Sequence, residues 1–178
     1  MSTARANLKR TISALGLAAL AGLAACATTQ RITAANDVHA LLVAIRDDDE
    51  AAFAARIDKP ALEHEVEGRI LEQTQTNNSN DAVRALGAMF AHPMAQLAGE
   101  SLLHPSVFRA VAEYYGYKPG RPIPNQLEIA GALRALPDGR VCAAKSHDGP
   151  CLITFANEGG TWKLVSFDGD IKQLRLRG

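Results

Sequence analysis

Three cysteines, five histidines and a run of four carboxylates are the residues whose chemistry could define this chain. Cys142 and Cys151 flank Ser146-His147-Asp148-Gly149-Pro150, a turn-like sequence. Two strands meeting at that turn bring the thiols close, and an oxidising compartment would join them as a disulfide. Cys142, His147, Asp148 and Cys151 also carry the donor types of a zinc site, but the spacing fits no zinc pattern and no second Cys/His pair completes it. Two reduced thiols on strands that do not face each other are the third possibility. Asp47-Asp48-Asp49-Glu50 lacks the alternating spacing of a calcium loop. It reads instead as the end of one helix and the acidic start of the next, where the helix dipole favours negative charge. His64-Glu65-Val66-Glu67-Gly68 opens like a metalloprotease helix but has no second histidine four positions on. There is no Gly-x-Ser-x-Gly elbow. Glu65 and Glu67 fall on different sides of a helix, and His92 and His104 each precede a proline, which marks a helix boundary. The five histidines therefore read as surface or capping residues. We assign no catalytic, cofactor-binding or metal-binding residue from spacing.

The third cysteine is of a different kind. Residues 1–25 carry Arg5, Lys9 and Arg10, no acidic residue, and an apolar stretch from Ile12 to Ala25 built mainly of Ala, Leu and Gly with one Ser. That stretch, at about fifteen residues, is shorter than the roughly twenty needed to span a bilayer as a helix. A basic start, a short apolar middle and a small-residue end is the design of a secretory signal. It closes on Leu23-Ala24-Ala25-Cys26, which resembles the lipobox of bacterial lipoproteins. The resemblance implies a signal peptide over 1–25, cleaved ahead of Cys26, with acyl chains on that cysteine. Several acyl chains together anchor a protein durably to a membrane. The implied place is the bacterial cell envelope, facing the periplasm. Ala27 follows the cysteine where inner-membrane retention commonly uses Asp, which favours the outer membrane. If Cys26 is lipidated, the remaining pair, Cys142 and Cys151, is even, as a disulfide needs.

Composition sets outer bounds. The chain of 178 residues is 47% hydrophobic and 21% charged, the balance of one globular domain. Its 19 basic and 19 acidic residues cancel, and aromatics are only 5%. Both figures argue against nucleic acid as a partner, which needs basic surface and stacking rings.

The elements that would position these residues follow from periodicity. Residues 26–36 read as a tether, and 37–178 as a single domain. A first helix capped by Asn36 or Asp37 carries Val38, Leu41, Leu42 and Ile45 on one face. A second holds Phe53 and Ile57. Asp58-Lys59-Pro60 starts a third, with Leu62, Val66 and Ile70, which gives way in the polar run Gln73 to Asn80. Asp81 opens a fourth with Val83, Leu86, Met89 and Phe90, then Leu97 beyond a kink at Pro93. His104-Pro105-Ser106 begins a fifth with Val107, Val111, Tyr114 and Tyr115. Residues 116–126 form a proline- and glycine-rich linker after this helical part, 37–115.

Residues 127–178 are β-rich. Val141–Ala144, Cys151–Phe155 and Trp162–Phe167 read as strands, Ile171–Leu176 as a fourth, and Leu127–Leu136 as either helix or strand. Trp162 reads as a core residue. Helices followed by an antiparallel sheet make an α+β fold, with the N-terminal helices covering a small C-terminal sheet.

The segment Asp49–Leu62, with its acidic residue, spaced Phe53 and Ile57-Asp58-Lys59-Pro60-Ala61-Leu62, resembles a family of proteobacterial proteins known only as a domain of unknown function. The resemblance continues at Leu102-Leu103-His104-Pro105 and at Gly160-Thr161-Trp162-Lys163-Leu164, covering 38–115 and more loosely 150–168. Lys59 stands where that family usually has an aromatic. It implies an exported or membrane-anchored protein and carries over no catalytic residue. Two functional classes stand: a non-catalytic envelope module that binds a partner protein, a lipid or a small apolar ligand, and a periplasmic enzyme whose site is assembled from scattered residues.

Overall fold

The computed structural model describes residues 27–77, 81–114, 117–144, 146 and 148–167. The signal segment expected at 1–25, Cys26, Tyr115, His147 and the strand expected at Ile171–Leu176 lie outside the described residues. Helix α1 spans 27–47. It is followed by α2 (Glu50–Ala54), α3 (Lys59–Asn77), α4 (Asp81–Leu102), α5 (Pro105–Tyr114) and α6 (Gln126–Ala132). Strands β1 (Leu133–Ala135), β2 (Val141–Ala144), β3 (Cys151–Glu158) and β4 (Thr161–Phe167) then form one antiparallel sheet in the order β1-β2-β3-β4. This is the α+β arrangement expected.

The tether is the largest correction. Residues 27–36 are helical, and Asp37 lies inside the helix it was expected to cap. Ala34 and Ala35 are fully buried while Ile32, the one large apolar residue there, is half exposed. Small side chains let the helix lie close to the sheet, so its inner face bears alanine instead of a leucine stripe. Val38, Leu41 and Ala44 continue that face into the core.

Local signals explain most boundaries. The Asp49 side chain caps α2 by accepting from the Ala52 N–H at 2.9 Å, and Asp58 caps α3 through Ala61 at 3.0 Å. Helix α2 ends at Ala54, so Ile57 is not helical. It forms a parallel bridge to Leu164, with the Asp58 N–H donating to the Leu164 carbonyl and the Leu164 N–H to the Arg56 carbonyl. The α2–α3 connection thus adds a short fifth rail to the sheet edge. Helix α3 runs on to Asn77 through the polar residues expected to end it. There, Thr76 Oγ1 donates back to the Glu72 carbonyl and α4 lies alongside. Pro93 sits inside α4 on its exposed side, where water can satisfy the carbonyl its missing N–H leaves free.

The ambiguous stretch Leu127–Leu136 is both things. Asn125 and Glu128 form a capping box for α6, and the chain turns extended at Leu133 to enter β1. Between β3 and β4, Gly159 and Gly160 have φ of +59° and +93°, the left-handed pair a two-residue hairpin demands.

Leu133, Val141, Phe155 and Leu164 alternate onto the sheet face that meets the helices, where they join Phe53, Leu62 and Ile129 in the core. Trp162 is in the same core, with its indole N–H donating to Thr33 Oγ1 at 3.2 Å.

Candidate functional site

Helices α3 and α4 form an antiparallel pair, with Glu63 beside Gly99 and Glu67 beside His92. The buried side of α4 is made of small residues, Ala91, Ala95 and Gly99. A Cβ at Gly99 would come 2.5 Å from the Glu63 carboxylate and 2.8 Å from its Cγ, so any side chain there would have to push Glu63 aside. Helix α5 then crosses the end of the pair. Its Phe108 stacks edge-on against Phe53 of α2, with ring centroids 5.2 Å apart.

Because α4 offers Ala98 and Gly99 where α5 offers Val107, Phe108 and Val111, the three helices do not fill the space between them. They leave a cavity of about 300 Å³. Leu62 and Val66 of α3, Leu102, Leu103 and the Phe167 end of β4 complete its apolar walls.

Three charged residues reach this cavity, and all have partners. Glu63 pairs with Lys59 at 3.7 Å. Glu65 and Arg69, one helical turn apart, pair with each other and hold the last residue of β4. The Phe167 N–H donates to Glu65 Oε2 at 3.1 Å, and Arg69 donates to the Phe167 carbonyl at 2.8 Å. The two side chains take the place of a further strand at the end of the sheet and fix one wall of the cavity. What the arrangement can do chemically is shelter an apolar group from water.

The residues singled out in the sequence are placed as follows. Cys142 and Cys151 form a disulfide, with Cα atoms 5.6 Å apart. The acidic run is dispersed: Asp47 pairs with Arg46, Asp48 faces Arg109, Asp49 caps α2 and Glu50 faces His104. Glu65 and Glu67 are separated as expected, Glu67 lying between His64 and His92. His92 is inside α4 and marks no boundary, while His104 stands ahead of α5 and its Nε2 donates to the Glu100 carbonyl at 2.8 Å. His39 Nδ1 donates to the Pro124 carbonyl at 2.9 Å, tying the proline-rich linker to α1. Among the described residues no group of three metal-ligating side chains converges.

Sequence reading missed the cavity, because an absence of volume depends on which helices cross. It also missed Arg134, whose guanidinium lies against the disulfide. The carboxyls whose titration hydrogen bonding shifts do not line the cavity. Arg140 holds Asp138 below the ordinary carboxylate range, and Arg46 does the same to Asp47.

The family described as "Protein of unknown function (DUF2939)" matches residues 17–111, more than half of the chain. The chain belongs to that family. Every residue lining the cavity except Phe167 lies inside the DUF2939 span, whereas the disulfide and the sheet lie beyond it. The match therefore starts earlier than the resemblance read from Val38 and does not reach the closing strand at Trp162. No curated protein and no solved structure matches the chain.

Proposed function

We propose that this is a lipid-anchored protein of the bacterial envelope whose domain is a non-catalytic binding module for a small apolar ligand. The cavity between α3, α4 and α5 carries the reading. It is apolar, it is at the lower end of the size range of small-molecule sites, and its charged rim residues are engaged: Glu63 with Lys59, and Glu65 and Arg69 with each other and with the backbone of Phe167. A reaction at this place would need an acid, base or nucleophile aimed inward, and the carboxylates there serve as strand and helix partners. The anchor follows from the basic start, the short apolar run and Leu23-Ala24-Ala25-Cys26.

Two measurements test the two halves. An apolar fluorescent probe should bind the wild type and be displaced by aliphatic compounds, and Ala98→Phe should abolish binding while the fold is kept. Equal binding by the variant sinks the ligand reading. Growth with labelled palmitate should tag the wild type and leave Cys26→Ala unlabelled. Equal labelling sinks the anchor.

A protein partner is the second reading, favoured by the outer side of α4. Leu86, Met89, Phe90, Met94 and Leu97 are between 53% and 71% exposed there. In-cell crosslinking from position 89 would capture such a partner.

A further inference from the structure

The sheet has a second face. Arg134 is opposite Cys142 in the β1–β2 register, and Cys142 is opposite Thr154 in β3, on the side turned away from Leu133 and Val141. One guanidinium nitrogen of Arg134 donates to both sulfurs of the disulfide, 3.2 Å from Cys151 Sγ and 3.6 Å from Cys142 Sγ. A disulfide needs no cation beside it to hold two strands together. A thiolate does gain from one, because a neighbouring arginine favours the charged form of the sulfur. The two sulfurs also differ in access: Cys142 is fully buried, whereas Cys151, the first residue of β3, is half-buried.

We propose that Cys142, Cys151 and Arg134 form a thiol–disulfide exchange site that takes a reduced dithiol as its co-reactant. One thiolate of the dithiol attacks Cys151 Sγ, forming a mixed disulfide. The Cys142–Cys151 bond breaks, and Cys142 leaves as a thiolate beside Arg134. The second thiolate of the dithiol attacks its own sulfur in the mixed disulfide and releases Cys151 as a thiolate beside the same guanidinium. Two electrons pass to the protein, the dithiol becomes a disulfide, and its two protons pass to solvent or to the new thiolates. The reverse sequence reoxidises the pair. Arg134 acts as a positioning residue that stabilises both leaving groups, lowering the barrier and favouring the reduced form. This site lies outside the cavity and does not depend on what the cavity holds.

The test is an equilibrium titration of the full chain in mixtures of reduced and oxidised glutathione. Alkylation and mass spectrometry read the peptides that contain Cys142 and Cys151. The wild type should reach half reduction within the range a glutathione buffer spans while its circular dichroism stays native. Arg134→Met should shift the equilibrium constant about tenfold toward the disulfide, roughly 30 mV, and Arg134→Lys should recover part of that shift. A shift below about threefold for Arg134→Met overturns the proposal, since a merely structural arginine leaves the potential unchanged. Should Arg134→Met fail to fold, the wild type decides alone: a pair that glutathione cannot reduce in the folded chain overturns the proposal.

Discussion

Asp37 of α1 accepts the backbone N–H of Trp162 at 2.9 Å, a bond that closes 125 positions of sequence. The other carboxylate oxygen lies 3.5 Å from Arg56 Nε, so one side chain joins the first helix, the last strand and the α2–α3 connection. Arg56 Nε is buried and has no hydrogen bond among the described residues, which makes the Asp37 charge its compensation. Asp37→Ala removes the acceptor and strands both groups, at a cost of about 2 kcal/mol. Asp37→Asn keeps an oxygen for Trp162 and should lose less. Urea unfolding of the two variants checks the order.

Glu65 should matter through Phe167 more than through Arg69. Its i,i+4 pair with Arg69 is worth about 0.5 kcal/mol on a helix, whereas leaving the Phe167 N–H unpaired costs about 1–3 kcal/mol. Hydrogen exchange at the Phe167 amide should accelerate in Glu65→Ala. It should stay close to wild type in Glu65→Gln, which keeps the acceptor.

The disulfide closes a loop with a sequence separation of 9. Loop-closure entropy for a ring of that size gives about 2.5 kcal/mol of stabilisation. Denaturant melts with and without reductant should differ by that amount, with the reduced chain still folding.

Acid should weaken the protein by a small, salt-sensitive margin at two surface pairs. Asp138 accepts from Arg140 Nε at 2.7 Å and Asp47 from Arg46 Nε at 2.6 Å, and each carboxyl is held below its ordinary value. A carboxyl whose folded value is depressed contributes fully above the unfolded value, about 4. The contribution fades as pH falls from there through the folded value. Both carboxyls are exposed, so salt screens them. Asp138→Asn should flatten the low-pH slope of the melting temperature at low ionic strength and change little at high ionic strength.

Helices first and strands second were legible because the apolar period is 3.6 in the helices up to Tyr114 and 2 in the strands from Val141 on, and because Asp49 and Asp58 have one obvious use each. The cysteine pair was legible from its turn. Strand β1 was not, since three residues carry no periodicity. Its signal was the turn after it, Pro137-Asp138-Gly139, where the Asp138 side chain accepts from Arg140 and Gly139 has φ of +86°. The start of α1 escaped for another reason: buried alanines look like a linker in any hydropathy reading. Ile57 looked helical because an isolated apolar residue cannot show whether it faces a helix or a strand edge. The cavity was beyond sequence, being set by the crossing of three helices.

The first helix has a mechanical consequence. With Ala34 and Ala35 packed in the core, there is almost no slack between residue 27 and the body of the domain. Whatever is attached ahead of that residue is coupled to a rod about 30 Å long. A slack leash would let the domain tumble and sweep a volume. This one holds its amino end at a fixed distance from the core, so an attachment there would set how far the domain stands from what it is tied to.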